Sequence, residues 1–293
     1  MKKIAIIGAS GFVGTNLVKQ ILDTTDWQIK AISPNPEDLD VADERLDNVA
    51  GDVFNAEKLT HQLSDVSTVY YFVHMMAAGS NYDELEEKAA HSCGQASQLA
   101  GVDRIVYMSG LGDDTDDLSK HLESRHNTGN VMRKYDPVVI EFRASMIIGD
   151  GSISFQIIQN LVHKLPLLLV PPTTMTKTQP IALPDMLDYL QAAATIALDE
   201  DTIVEVGGPE VFTYKDLIAR YADWKGRYTK IIRLPFLPSF IAGLWLNLFN
   251  PSRSATVARA MVDSFKNEMI VTTDTAKQLF PDIEPRPIEE NFS

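Results

Sequence analysis

The sequence predicts an α/β protein: a doubly wound parallel sheet followed by a smaller C-terminal substrate domain. Three observations carry that expectation. Short apolar, β-branched runs alternate with amphipathic stretches of helix length over residues 1–150, the pattern of a parallel sheet covered on both faces. Gly8, Gly11 and Gly14 stand directly between the first such run and the first helical stretch. After Gly149 the rhythm changes, with prolines at 166, 171, 172, 180 and 184 and only isolated strands.

Each element follows from its residues. Ile4, Ala5, Ile6 and Ile7 form an apolar run without alternation, a buried strand. Val13, Leu17 and Ile21 then recur at helical spacing, so a helix opens at Gly11 and runs to residue 22. Residues 28–33 read as a second strand, stopped by Pro34 and Pro36, and 49–52 as the end of a third. Residues 68–73, 104–108 and 138–142 supply three more strands. Helices over 81–100 and 117–134 separate these. With right-handed crossovers the result is a Rossmann-like sheet whose carboxyl edge receives ligands. The expected division is a dinucleotide-binding domain over 1–150 and, over 151–293, mainly a substrate domain partly interleaved with it.

Bulk properties narrow the function classes. A chain of 293 residues exceeds one ordinary compact core, which suits one large domain with a smaller appendage. The formal net charge of −14 opposes a nucleic-acid surface, because phosphate neutralisation needs clustered Lys and Arg. Cys93 is the single cysteine, which excludes an intramolecular disulfide or a cysteine-based zinc site and suits a reducing compartment. The apolar run before Gly8 is too short for a signal sequence. Residues 234–249, rich in Phe and Leu, are broken by Pro235, Pro238 and Gly243 and fall short of the roughly 20 residues of a spanning helix. A cytoplasmic protein with no membrane, nucleic-acid or metal partner is expected.

The glycine loop carries the first functional expectation. A helix N-terminus offers unpaired N–H groups and a positive dipole end to a pyrophosphate. Gly8 permits the tight turn, Gly11 lets backbone approach phosphate, and Gly14 lets helix pack on strand, while Ser10 adds a hydroxyl. With Phe12 and Val13 these residues form the expected binding loop for NAD or NADP. The second strand ends at Ser33, Pro34 and Asn35, with neither the carboxylate that meets a ribose 2′-OH nor the arginine that meets a 2′-phosphate. Ser33 can bond either form, so the choice between the two cofactors stays open.

The G-x-x-G-x-x-G spacing resembles that of extended and atypical short-chain dehydrogenase/reductases, including NmrA-like proteins. The resemblance continues through Gly51-Asp52-Val53, Tyr71-Phe72-Val73-His74, Tyr107-Met108-Ser109-Gly110, Phe142-Arg143-Ala144 with Gly149, and Gly207-Gly208-Pro209-Glu210. It implies adenine contacts at Asp52 and Val53, and places Val73 and His74 along the cofactor.

The same resemblance implies a catalytic Tyr with a Lys four positions later, helped by a Ser or Thr. In their place this chain has His121 and Arg125, with Ser109 at the end of the fifth strand. The i, i+4 spacing keeps both side chains on one helix face. An imidazolium at His121 can donate a proton near neutral pH and Arg125 can hold a ribose hydroxyl. A guanidinium so close, however, disfavours the charged imidazole. Each residue also has a plainer role: His121 as a packed helix residue, Ser109 as a turn hydroxyl, Arg143 as half of a salt bridge. Tyr107 is expected to pack within the sheet, and Tyr135, before Asp136-Pro137, lies at a helix exit.

In the C-terminal half, Asp185 is expected to complement the dipole of a helix over 186–197. Ser152 or Ser154 is expected to cap the helix before Phe155, and residues 234–249 to wall an apolar substrate pocket or a homodimer contact. The leading expectation is an NAD(P)-dependent oxidoreductase acting on a small organic carbonyl or alcohol. The alternative is a non-catalytic, NmrA-like dinucleotide-binding redox sensor. A sugar-nucleotide epimerase or dehydratase fits less well, because that chemistry also leans on the missing Tyr and Lys.

Overall fold

In the computed structural model, which describes residues 1–233 and 265–292, strand β1 (Lys3–Ile7) is an interior strand of the seven-stranded sheet. Ile4, Ala5 and Ile6 are fully buried, as an unalternating apolar run requires when both faces are covered. β2 (Gln28–Ser33) and β3 (Leu46–Ala50) extend the sheet on one side. β4 (Thr68–Tyr71), β5 (Arg104–Gly110) and β6 (Val138–Ala144) extend it on the other, and Thr202–Val206 adds the seventh strand beside β6. All pair in parallel. This is the expected α/β, Rossmann-like sheet, with its order reversing between β1 and β4. Ligands bind outside the carboxyl ends of strands at such a switch point.

Helices cover the two faces. α1 (Phe12–Thr24) and α6 (Leu183–Ala193) pack on Ile4, Ile6, Tyr70 and Val106. α2 (Ala56–Leu63), α3 (Tyr82–Ala100) and α4 (Lys120–Met132) cover Ala5, Ile7, Tyr71 and Tyr107. The first core therefore mixes residues from both halves of the chain, down to Phe280. A separate core holds α5 (Ile153–Lys164), α7 (Tyr214–Trp224), the strand Leu167–Val170 and Phe292.

Several boundaries differ from the sequence expectation for local reasons. α4 begins at Lys120 rather than 117, because the Ser119 side chain accepts the Leu122 N–H and sets the cap. β5 runs on to Gly110, pairing Ser109 with Arg143 and Gly110 with Ala144. α6 begins at Leu183, with Pro184 in its first turn, where a missing N–H costs nothing. Ser152 stands at the N-cap of α5 without a side-chain bond to it. Asp185 does more than face a helix dipole. It is buried and accepts the Arg286 backbone N–H at 2.8 Å and Nε at 2.6 Å, tying the C-terminal segment to α6. The 234–249 stretch lies outside the described residues. Among the described residues no helix is long and apolar enough to cross a membrane.

Candidate active site

Register aligns the strand ends that matter. Ile7 pairs with Ile32 and Tyr71, and Tyr71 with Tyr107. Gly8, Ser33, Phe72 and Met108 therefore emerge along one edge of the sheet. Gly8 adopts φ +91°, and a Cβ on Gly14 would lie 2.4 Å from the Gly8 carbonyl oxygen and 2.8 Å from the Ala9 Cα. Only glycine lets α1 start this close to β1. The Gly8 N–H donates to Ile32 O at 2.9 Å and the Gly11 N–H to Gly8 O at 3.0 Å, folding the loop over the strand ends. Phe12 packs against Gly151, where a Cβ would meet its ring at 3.3 Å, so the end of the first half closes over the loop.

The other predicted cofactor residues lie along the same edge. Ser33 ends β2 buried, its Oγ with no hydrogen-bond partner. Asp52 is exposed beyond β3, its carboxylate accepting the Phe54 N–H, and Val53 packs on the α2–α4 core. Lys30 points away: its Nζ donates to Gln62 O at 2.7 Å and to Asp65.

Farther along the edge, past β4, β5 and β6, a cavity of about 390 Å³ opens. His74, Ser109, His121 and Arg125 all line it. Its walls are largely apolar, with Met108, Leu122, Met146, Ile153, Phe265 and Met269 among them. Ser109 is 7% exposed and its Oγ has no partner. A larger and more open groove of about 610 Å³ runs past Trp27, Asp188 and Arg286. It lies on the outer side of α6, away from the strand ends, and holds none of these groups.

Each side chain in the cavity is held by a physical cause. The Arg125 guanidinium donates from Nη1 to Val73 O at 3.1 Å and from Nη2 to Met108 O, and stacks over the Tyr107 ring at 4.8 Å. It thereby clips the ends of β4 and β5 together and keeps its remaining N–H donors for the cavity. Tyr107 is buried and donates its phenol to Arg125 O at 2.9 Å, while Tyr135 bonds to His91 on α3. His121 faces His74, ring centroids 5.0 Å apart, and its buried Nδ1 has no partner. Burial, then the His74 ring and the Arg125 charge, push the His121 imidazole down to about 3. It is neutral at pH 7, chiefly because it is buried, with the guanidinium adding to the effect, so an imidazolium donor is absent there.

The sequence passed over one partner, Glu86. It sits on α3 at 2% exposure and takes three donors: His74 Nδ1 at 2.5 Å, the Met75 N–H at 2.9 Å and Ser124 Oγ at 2.5 Å. Burial alone would raise its carboxyl, but the His74 hydrogen bond and the Arg125 charge hold it down at about 2. Among the acidic residues 84, 86 and 87 it resembles a solvated helix face. The available signal was periodicity, since Tyr82, Glu86, Ala89, Ala90 and Cys93 share the buried stripe of α3. Arg143 takes the salt-bridge role expected of it, bonding Glu141 at 2.8 Å and both Asp114 oxygens at 3.1 Å.

The glycine loop, the switch-point edge and the cavity beyond it together have the layout of a Rossmann-like nucleotide-binding fold. Residues 8–144, just under half of the chain, match the model of the NAD(P)H-binding family. A 117-residue stretch is 29% identical to the 3 beta-hydroxysteroid dehydrogenase/Delta 5-->4-isomerase of Mycobacterium tuberculosis, covering 36% of this chain. The match spans about a third (31%) of that relative's length. Three solved structures share the fold over nearly the whole chain. Triphenylmethane reductase of Citrobacter sp. superposes with TM-score 0.77 at 17% identity, covering 99% of this chain and 98% of its own. A nucleoside-diphosphate-sugar epimerase of Staphylococcus aureus gives 0.77 at 15%, with the same coverage. The dTDP-glucose 4,6-dehydratase of Streptomyces venezuelae, solved with NAD bound, gives 0.72 at 17%, covering 97% and 92%.

Proposed function

We propose that this protein is an NAD(P)-dependent oxidoreductase acting on a small, largely apolar alcohol or carbonyl compound. The observation that carries this is the cavity itself. It lies at the carboxyl ends of β4, β5 and β6, with apolar walls and a few convergent polar groups, His74, Ser109 and His121, left available inside it. Binding sites for small organic molecules have that composition.

The residues present fit a dinucleotide. The loop Gly8, Ser10, Gly11, Phe12, Val13 and Gly14 would hold the pyrophosphate on the α1 N-terminus. The orphaned Ser33 Oγ would take a ribose hydroxyl, and Asp52 and Val53 would flank the adenine. Val73, His74 and Arg125 would run beside the nicotinamide half. When bound, the nicotinamide supplies or accepts two electrons and a hydrogen at the substrate carbon. Ser109 would orient the substrate oxygen, and the methionine and phenylalanine walls would exclude water. His121, uncharged, would serve as a neutral hydrogen-bonding ring and not as an acid. The dehydrogenase and the reductase among the similar proteins are named for a hydroxysteroid and for triphenylmethane, which supports a largely apolar substrate here.

Titration calorimetry with both oxidised and both reduced cofactors comes first, followed by a turnover screen against quinones, aldehydes, ketones and apolar alcohols. Binding of one cofactor is expected, with turnover that Ser109→Ala lowers while the melting temperature stays unchanged, because that hydroxyl makes no protein bond to lose. Tight binding without turnover across the panel would favour the second reading, a dinucleotide-responsive regulator. One observation favours it: Arg125, in the usual lysine's place, spends donors on two main-chain carbonyls.

A further inference from the structure

The pair usually responsible for proton transfer is absent, yet the cavity contains one imidazole built to accept a proton. His74 stands at its mouth with 34% of the side chain open to solvent, and Glu86 lies behind it almost fully buried. Glu86 is ionised and takes three donors, so its Oε1, 2.5 Å from His74 Nδ1, must accept an N–H there. That fixes the tautomer. The proton sits on Nδ1, and the Nε2 lone pair is left without a hydrogen bond among the described residues.

Other candidates in or beside the cavity are engaged or unsuited. The Tyr107 phenol is committed to Arg125 O. Tyr214, which also lines the cavity, is pushed up to about 12 by burial and faces Met269 Sδ at 3.7 Å.

We propose that His74, oriented by the buried Glu86 carboxylate, is the general base that removes the hydroxyl proton of an alcohol substrate in this cavity. The inference rests on the oxidoreductase reading above. The step balances as follows. The substrate O–H bond breaks and its proton goes to His74 Nε2, while the carbinol carbon gives its hydrogen with two electrons to an oxidised nicotinamide dinucleotide. A carbonyl product, a reduced dinucleotide and an imidazolium paired with Glu86 remain. The imidazolium then releases its proton to water at the mouth. Glu86 is a positioning residue. Ser124, bonded to its second oxygen, holds the carboxylate in place.

The charged and titratable groups facing His74 set its protonation. Burial lowers its pKa first and Arg125 on α4 lowers it further, while Glu86 on α3 partly restores it; His121 on α4 stacks nearby. The ring is therefore neutral, and a base, at pH 7.

Nitrogen-15 NMR of the imidazoles in the cofactor-free protein tests the dyad without any substrate. The expected result is a His74 Nδ1–H tautomer titrating below the ordinary histidine range, with a midpoint that falls further in Glu86→Gln. A wild-type Nε2–H tautomer, or a midpoint that Glu86→Gln leaves in place, overturns the proposal whatever turnover assays show. With a substrate in hand, His74→Gln should lower kcat for alcohol oxidation about 10²–10⁴-fold with little change in KM, and should remove the acidic limb of the pH profile. Unchanged kcat and pH profile in His74→Gln would refute the base while leaving the oxidoreductase reading intact. Cofactor binding with no turnover by any alcohol or carbonyl would refute that reading and, with it, the base's role.

Discussion

Gly14→Ala tests the join between sequence and site most directly. The new Cβ would sit 2.4 Å from the Gly8 carbonyl oxygen, 2.8 Å from the Ala9 Cα and 3.0 Å from Ala9 O. All three atoms are backbone, so no rotamer can relieve the overlap. Ordinary contact begins near 3.4 Å, so α1 must retreat from the loop by about 1 Å. Forcing an extra methyl into such a site costs about 1–3 kcal/mol, which for a protein of this size lowers Tm by roughly 3–10 °C. The same displacement carries the first N–H groups of α1 out of register with a bound pyrophosphate. Losing one charge-assisted hydrogen bond there, about 1.5–3 kcal/mol, weakens cofactor binding roughly 10- to 100-fold. Differential scanning fluorimetry and calorimetric titration with NAD(H) and NADP(H) measure both effects. Gly11→Ala is the control, since its Cβ meets only Gly8 O, at 3.2 Å, and Gly11 is exposed. It should keep its Tm and lose affinity. A Gly14→Ala protein that melts and binds like the wild type would refute the reasoning.

Two further expectations concern buried charge. Glu141, fully buried in β6, bonds Arg133 and Arg143, and Arg143 is itself 4% exposed. Glu141→Leu leaves that guanidinium only the exposed Asp114, so a loss of about 3–5 kcal/mol and a Tm fall of roughly 10 °C are expected in thermal denaturation; an unchanged Tm would show that Asp114 suffices as partner. Stability should also fall steadily under mild acid. His121 is held near 3 in the fold against 6.5 when unfolded, so the unfolded chain gains a proton first and stability drops as pH falls from 6.5 toward 3. Glu86, near 2 against 4.5, contributes stability that is present above 4.5 and lost as pH falls toward 2. Urea titrations at several pH values should show His121→Phe flattening the slope between pH 6.5 and 4, and an identical slope would count against a buried neutral ring.

Much of this architecture was legible in the chain. Short apolar runs at 4–7 and 105–108, each bounded by turn or helix signals, read as strands covered on both faces, and three glycines between a strand and a helix read as a close turn. These are local properties, decided by dihedral preference and burial period over a few residues. The end proposed for catalysis was less legible. Spacing placed His121 and Arg125 on one helix face and put Ser109 at a strand end, and the fold brings all three to one cavity with His74. Their states could not be read from spacing, because desolvation and charge depend on neighbours from other elements.

Glu86 shows the limit most clearly. Twelve residues separate it from His74, and a long helix full of acidic residues makes it look like surface. Only the packing of α3 on β4 and α4 buries it, ionises it and aims it at an imidazole. The parallel sheet, the glycine loop and the sheet edge here proposed for a dinucleotide could be read from the chain alone, since each follows from short-range sterics and periodicity. The pairing of His74 Nδ1 with a buried carboxylate came only with the tertiary structure, because it depends on which buried groups meet once distant segments have closed on one another.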